Sequence, residues 1–341
     1  MVVFRRLCSV RGLVSLFFLS TFLCIAQNIF ASSTLTGIVF DKSHNAISNV
    51  DVELLNDYYQ QRMRTRTDGA GRYSFENLPN ARYWVRVSPF WLDLEDQMLP
   101  MDVDAQTIRG GEGSGFFNLD FYLVPKKGGI AEAEASVVFA QDVPSAAKKL
   151  YSKAIDDLAN NRTNDGIIGL NAAVQSFPTY FQALSRLGKE LFIKGKYLES
   201  GQCFMQAVTI NPKSASSFYY LGYSLSKLGK DYNKAALAAL NQGVFLAPSS
   251  SQILFILGKV ERAEGNFSEA EKHLLLAKKS SKVSVPDIHK ELAQLYSENL
   301  KKFGAAADEL ELYLKSSKLS DSEEKSIKKI IAGLRDKATK S

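Results

Sequence analysis

Residues 187–212, LGKELFIKGKYLESGQCFMQAVTINP, contain the pattern that decides the fold of the C-terminal half. Ser200, Phe204 and Ala207 are separated by four and then three positions, which places them on one face of a helix. Small side chains at Gly188, Ser200 and Ala207 would let two helices approach closely. Pro212 cannot continue a helix. The stretch therefore predicts one pair of packed helices.

The same pattern recurs outward from this stretch in both directions. Small residues recur at spacings of 34, 34, 36 and 35, at Ala154, Gly188, Gly222, Gly258 and Ala293. Each is followed by a further small residue, at Gly166, Ser200, Ala236, Ala270 and Ala306, and then by Leu170, Phe204, Leu240, Leu274 and Leu310. A fourth set lies at Ala173, Ala207, Gly243, Ala277 and Tyr313, and three of the units end at Pro178, Pro212 and Pro248. Five helix pairs are therefore expected over residues 145–318.

A period near 34 with this residue order resembles the tetratricopeptide repeat. The family's Leu-Gly pair is present at 187–188, 221–222 and 257–258. The resemblance implies an all-α, right-handed solenoid whose end units diverge, as Lys153 and Tyr313 indicate here. Residues 319–341 are expected to form a capping helix, because Ser320 and Glu323 have capping-box spacing before an apolar stripe at Ile327, Ile330, Ile331 and Leu334.

Residues 32–125 follow a different, strand-like period. Short apolar runs alternate with turn clusters, and Tyr83–Val87 alternates between two faces. The strands are expected at Leu35–Phe40, Val50–Asn56, Gln61–Thr67, Arg72–Phe75, Tyr83–Val87 and Phe116–Val124. Asp68-Gly69-Ala70-Gly71 is a tight turn. The pattern predicts a small antiparallel β-sandwich.

Three segments of this half resemble the carboxypeptidase regulatory-like domain. They are TGIVFD at 36–41, TDGAGRYSF at 67–75 and LPNARYWV at 78–85. The resemblance implies a transthyretin-like sandwich that acts as an accessory module. The fold class is therefore multidomain β + α: the sandwich, a linker at 126–144, and the solenoid.

The first 31 residues resemble a secretory signal. Arg5, Arg6 and Arg11 precede an apolar run from Leu13 to Ala26 that is short for a bilayer span. Cleavage after Ala26 or after Ala31 is expected, with retention as an anchor as the alternative. The protein would then be extracytoplasmic, either periplasmic or secreted. Cleavage leaves 39 basic and 36 acidic side chains, a net charge of +3 that gives no indication of nucleic-acid binding. Cys203 would be the one remaining cysteine, so no intramolecular disulfide is expected.

The sequence offers no constellation for catalysis. His44, His273 and His289 stand in no HExxH-type arrangement, and the glycine-rich residues 110–115 have no phosphate-loop lysine. Cofactor fingerprints are absent. A non-enzymatic protein without metal or cofactor is therefore expected.

The first helix of each pair lines the concave surface in the repeat family, and the repeat frame selects candidate binding residues on that basis. Aromatic and basic side chains there suit an extended or helical peptide of acidic character. The candidates are Lys189, Tyr219, Tyr223, Lys227, Phe255, Lys259, Arg262 and Lys290, with Phe192 and Gln294 beside them. The expected function is that of an exported scaffold or adaptor for a protein or peptide partner, and an envelope-associated partner is one of the alternatives.

The alternative places the activity in the sandwich, as a carbohydrate- or envelope-binding module with the repeats as spacer. Aromatic stacking platforms are available at Tyr58, Tyr59, Trp84, Phe90 and Trp91. Because Trp84 lies in an alternating strand, it is interpreted as core, and Trp91 is interpreted as the exposed candidate.

Overall fold

The computed structural model describes residues 33–42, 44–89, 92–104, 115–135, 139–281, 285–317 and 319–340. The expected signal segment, Phe90 and Trp91 lie outside these residues. The described chain confirms the predicted fold class, two β-sheets followed by an array of packed helices.

Two sheets make up the sandwich. One contains β1 (Ser33–Asp41), β4 (Arg72–Leu78), β7 (Phe116–Asn118) and β8 (Phe121–Leu123), with β1 in the centre. The other has the order β3-β2-β5-β6, formed by β3 (Gln61–Arg66), β2 (Asp51–Leu55), β5 (Ala81–Ser88) and β6 (Gln97–Val103). Alternate residues of the strands, among them Leu35, Val52, Phe75, Val85 and Phe121, are buried between the sheets.

The last strand departs from the predicted Phe116–Val124 run in two ways. It is divided into β7 and β8, and both pair with β1 in parallel. Between β7 and β8, a side chain replaces the backbone as the hydrogen-bond partner of β1: Oδ1 of Asp120 accepts a hydrogen bond from the amide of Ile38 at 2.8 Å. Strand β6 was not predicted because it contains Pro100. It tolerates this proline because it lies at a sheet edge.

Helical structure begins in the linker and continues to the C-terminus. The linker contains α1 (Ile130–Ala135). The array comprises α2 (Ser145–Ala159), α3 (Thr163–Ser176), α4 (Phe181–Ile193), α5 (Tyr197–Ile210), α6 (Ala215–Ser226), α7 (Asn233–Leu246), α8 (Ser251–Ala263), α9 (Phe267–Ser280), α10 (Pro286–Gln294), α11 (Phe303–Ser316) and α12 (Asp321–Lys340). A π-helical turn at Leu295–Asn299 extends α10.

The recurring small residues bring the two helices of a pair into close contact. A Cβ atom added to Gly222 would lie 2.5 Å from Cγ of Leu240, and one added to Gly258 would lie 2.7 Å from Cγ of Leu274. The first helices of successive pairs also touch each other, α4 with α6 and α6 with α8. They therefore form the inner, concave layer of the array.

Candidate functional site

Aromatic rings from α4 and α6 form a continuous cluster on the concave layer. The ring of Phe192 lies 4.8 Å from that of Tyr223, and Tyr223 lies 5.8 Å from Tyr219 (centroid distances). Tyr219 is only 5% exposed and Phe255 only 4%. Their side chains therefore serve packing, while the half-buried Tyr223 presents the accessible ring.

Three of the predicted lysines lie over aromatic rings of this layer. The Nζ atoms of Lys189, Lys227 and Lys259 are 5.4, 5.2 and 5.4 Å from the ring centroids of Tyr220, Tyr223 and Phe255. A cation over a ring face is stabilised by the ring quadrupole. Lys227 is exposed, whereas Lys259 is half-buried and its amine also lies 3.9 Å from the carboxylate of Glu291.

Arg262 is engaged within the fold. Its Nε donates to Oε1 of Glu291 at 2.6 Å, and Nη2 donates to Gln294 at 3.2 Å. This pairing joins α8 to α10, and it also occupies Gln294. The main role of the Arg262 guanidinium is therefore to hold α8 against α10, and ligand binding by this side chain is secondary.

The linker covers part of the concave layer. The carbonyl of Gly128 accepts a hydrogen bond from the amide of Ser249 at 2.9 Å, at the start of α8. Glu134 of α1 accepts from the hydroxyl of Ser214 and the amide of Ser216, both at 3.0 Å, at the start of α6. Residues before the solenoid thus run across the N-terminal ends of its inner helices.

The linker also contacts the start of α4, and it lies near Lys189, one of the predicted site residues. Gln141 accepts from the amide of Phe181 at 2.9 Å and donates to the carbonyl of Thr179 at 2.7 Å. Burial lowers the pKa of the Lys189 amine, and the nearby carboxylate of Glu134 opposes that effect. Lys189 therefore faces the linker. No pattern in the amino-acid sequence predicts the contact of Glu134 with Ser214, because the two residues are 80 positions apart.

A loop of the sandwich supports the start of α1. Asp93, fully buried, accepts a hydrogen bond from the amide of Ile130 at 3.0 Å. The backbone carbonyl of Asp93 accepts a hydrogen bond from the backbone amide of Lys126 at 2.8 Å. The φ angle of Asp93, +49°, lies in the left-handed region, which aspartate tolerates. Burial raises the pKa of its carboxyl, although hydrogen bonds from Ile130 and the start of α8 oppose this.

The concave layer ends in a cavity between α10, α11 and α12, with a volume of about 440 Å³. Its floor is apolar, with Leu310, Tyr313, Ile327, Ile330 and Leu334. The exposed Lys290 lies at its rim. Of the predicted residues, Tyr223, Lys227, Lys259 and Lys290 thus lie on the part of the layer that leads to this cavity.

The sandwich carries a separate aromatic surface. Tyr58 is 83% exposed at the β2–β3 turn, and the ring of Tyr59 lies 5.5 Å from that of Trp84. The interpretation of Trp84 as a core residue is wrong. It alternates with the buried Tyr83 and Val85 and so faces outward from β5, where Arg82 lies over its ring at 5.8 Å.

The helical histidines are paired with carboxylates. Nδ1 of His289 lies 2.6 Å from Glu309, and Nδ1 of His273 lies 2.8 Å from Glu261. Within the described ranges, no group of three or more His, Cys, Asp or Glu side chains is arranged to hold a metal ion. Nor does any helix of the described part have the length and apolar character needed to span a membrane.

Comparison with known proteins gives one family match, in the N-terminal part of the chain. Residues 34–91 match the sequence model of the carboxypeptidase regulatory-like domain. No curated protein matches the chain in sequence.

Solved structures resemble the helical half. PilW, described as a widely conserved type IV pilus biogenesis factor, is 17% identical, with a TM-score of 0.48 over 58% of this chain and 91% of PilW. MamA from Desulfovibrio magneticus RS-1 is 17% identical, with a TM-score of 0.46 over 52% of this chain and 99% of that one. YrrB, described as a TPR protein with an unusual peptide-binding site, is 20% identical, with a TM-score of 0.44 over 49% of this chain and 84% of YrrB.

In the described chain, two β-sheets, of which residues 34–91 match the carboxypeptidase regulatory-like domain, are thus followed by an array of packed helix pairs. Both resemblances inferred from the sequence are confirmed at the level of the fold.

Proposed function

We propose that the chain is a non-enzymatic scaffold that holds a protein or peptide partner on the open part of its concave layer, from Tyr223 to the cavity beside Lys290. One observation carries this proposal. An accessible ring, exposed lysines and an apolar cavity of about 440 Å³ follow one another along the surface that the described residues of the linker leave uncovered. Rings and apolar pockets anchor a partner, and lysines at the rim favour acidic residues beside the anchor.

The test is site-specific photocrosslinking in cells, followed by mass spectrometry. A photoreactive residue replaces Tyr223 on the concave layer, and the control replaces Phe245, which is 77% exposed on a second helix. We expect a discrete protein adduct from position 223 that is absent from position 245. Lys227→Glu with Lys259→Glu should reduce this adduct, because both changes reverse charge on the open surface. Adducts of equal identity and yield from both positions would contradict the proposal.

The scaffold is further proposed to work outside the cytoplasm, on the basis of the basic and apolar N-terminal segment. N-terminal sequencing of the protein from an extracytoplasmic fraction should give residue 27 or residue 32 as the first residue. A chain found only in the cytoplasm with Met1 intact would overturn this part.

A second candidate function, binding of envelope carbohydrate, is favoured by the outward Tyr59 and Trp84 rings with Arg82 beside them. Sugar rings stack on such faces while the guanidinium donates hydrogen bonds to hydroxyls. Tyr59→Ala with Trp84→Ala in the full chain should abolish retention on a cell-wall preparation. Tyr122→Ala, another exposed aromatic of the sandwich, serves as the control. Equal retention of all three chains would exclude this function.

A further inference from the structure

A cavity of about 520 Å³ opens at one end of the sandwich, between the β2–β3 turn and the β4–β5 turn. Its wall is mainly apolar, and the side chains that form it include Leu54, Met63, Leu78, Pro79 and Tyr83. Leu54, Leu78 and Tyr83 belong to the buried core of the sandwich, whereas Met63 is exposed on the edge strand β3. A cavity of this size and lining suits a small ligand with an apolar body.

An irregularity in β3 places an arginine at this cavity. Leu54 of β2 pairs with Met63 of β3. The next residue of β2, Leu55, pairs with Gln61, so that Arg62 is an extra residue in the ladder. A bulge of this kind changes the direction of a side chain relative to the regular alternation of the strand. The Arg62 side chain lines the cavity.

The positive charge of Arg62 lies near the cavity wall and is not neutralised by a carboxylate of the described chain. Burial raises the pKa of the Tyr83 hydroxyl, and the charge of Arg62 opposes that rise, so the guanidinium lies near this hydroxyl. Among the described residues Arg62 makes no ion pair, whereas Arg64 of the same strand pairs with Asp51 at 2.6 Å. A guanidinium beside an apolar cavity can hold a carboxylate through two parallel hydrogen bonds.

Two further charged residues line the cavity and set its net charge. Arg82 adds a second guanidinium, which also lies 3.6 Å from the exposed Asp102. Asp57 adds one exposed carboxylate at the β2–β3 turn. The lining therefore carries two positive charges and one negative charge, and an anionic ligand is favoured over a cationic one.

We propose that this cavity binds a small carboxylic acid, whose apolar body lies against the cavity wall and whose carboxylate is held by Arg62. The ligand class is an aryl- or alkyl-substituted carboxylate. This site goes beyond the scaffold function, because it lies in the sandwich and uses no residue of the helical array. It is also distinct from the outward surface of Tyr59 and Trp84, with which it shares Arg82.

The experiment follows the full chain, with ¹³C-labelled methionine methyl groups, by nuclear magnetic resonance. Met63 lines the cavity, whereas Met98 is exposed on β6 and Met205 on α5. Titration with phenylbutyrate should shift the Met63 resonance, with a Kd in the millimolar range for so small a ligand, and leave Met98 and Met205 unshifted. Phenylbutanol has the same apolar body without the carboxylate and should bind about tenfold more weakly. Tighter binding of phenylbutylamine than of phenylbutyrate would overturn the assignment of the site to an anion.

Substitutions of the arginine test its role directly. Arg62→Gln should weaken phenylbutyrate binding about tenfold, because a charged hydrogen-bond donor is lost. Arg62→Lys should retain part of the affinity, since the charge remains but the two parallel hydrogen bonds do not. Arg72→Gln, an exposed change on β4 of the other sheet, is the matched control and should bind as the wild type does. Unchanged Met98 and Met205 resonances show that each variant is folded. An unshifted Met63 resonance, equal affinity for the alcohol, or unchanged affinity of Arg62→Gln would each contradict the proposal.

Discussion

Single side chains decide how closely the paired helices approach. At Gly222 a Cβ atom would meet Leu240 at 2.5 Å and the carbonyl of Ala236 at 3.1 Å. At Gly201, also within a helix, the nearest atom would be 3.8 Å away. A side chain larger than hydrogen is thus excluded at Gly222 but not at Gly201. A matched pair of alanine substitutions can test this difference.

We expect Gly222→Ala to lower the free energy of unfolding by about 1–3 kcal/mol, because the added methyl overpacks the α6–α7 contact. Gly201→Ala should instead raise it by roughly 0.5–1 kcal/mol, since alanine favours the helix and meets no clash. Urea unfolding followed by circular dichroism measures both. If Gly222→Ala instead raised the free energy of unfolding, helices α6 and α7 would be able to move apart without a loss of stability.

Glu309 makes stability depend on pH in a definite direction. Burial alone would raise its pKa, but hydrogen bonds from His289 and Lys278 hold the pKa of this carboxyl below its usual range. A carboxyl whose pKa is lower in the folded than in the unfolded state stabilises the fold above the unfolded value. That contribution is lost as the pH falls through the folded value.

Glu309→Gln should therefore lower the free energy of unfolding at pH 7 by about 1–3 kcal/mol. The difference from wild type should shrink as the pH falls below the usual carboxyl range, about 4.3. Glu324→Gln, which breaks an exposed pair with Lys328, serves as control and should change stability by no more than about 0.5 kcal/mol. A Glu309→Gln effect of constant size from pH 7 to pH 3 would contradict this assignment.

At the scale of elements, α12 protects the end of the array. Leu334 is 7% exposed against the solenoid core, whereas Ile330, one turn earlier, is 51% exposed. Arg335 of the same helix pairs with Asp308 and Glu311 of α11 at 2.7 and 2.9 Å. Because repeats contact their neighbours alone, damage here should remain local.

Leu334→Ala should speed amide hydrogen exchange in α11 and leave exchange in α4 unchanged. The lost burial corresponds to about 2–3 kcal/mol at this end of the array. Ile330→Ala, one turn earlier and half exposed at the cavity, should accelerate α11 exchange less than Leu334→Ala does. Equal acceleration in α4 would mean that the array unfolds as one cooperative unit.

At the scale of the whole molecule, the sandwich and the solenoid are joined by contacts around Asp93 and Gly128. A Cβ atom on Gly129 would lie 2.8 Å from Cβ of Asp93 and 3.1 Å from the carbonyl of Lys126. Space at this one position therefore controls how the sandwich loop packs on the start of α1.

Gly129→Ala is expected to weaken this packing by about 1–3 kcal/mol through overpacking. Small-angle scattering should then show a larger radius of gyration while helix content is retained. Gly69→Ala is the control, because its nearest neighbour would be Asn161 at 3.9 Å. An unchanged radius for Gly129→Ala would mean that the tethered linker fixes the two parts without Asp93.

Local, periodic features were determined by the sequence alone. The small residues near every 34th position specify helix pairs because each pair packs on itself and on its neighbours, so Gly188, Gly222 and Gly258 could be assigned without coordinates. Alternation in β5 likewise specified a strand with one buried face. The alternation could not specify which face is buried, because both faces of this strand carry large apolar or aromatic side chains. Trp84 was therefore assigned to the wrong face.

The tertiary structure alone decided the contents of the groove. Tyr219 and Tyr223 occupy equivalent positions on one helix face in the sequence, yet one is buried and the other partly accessible. Glu134 meets Ser214 across 80 residues, and the division of the layer into a covered and an open half follows from that contact. The reason is physical: repeat packing depends on residues close in the chain, whereas a linker's position depends on distant groups that only the folded chain brings together.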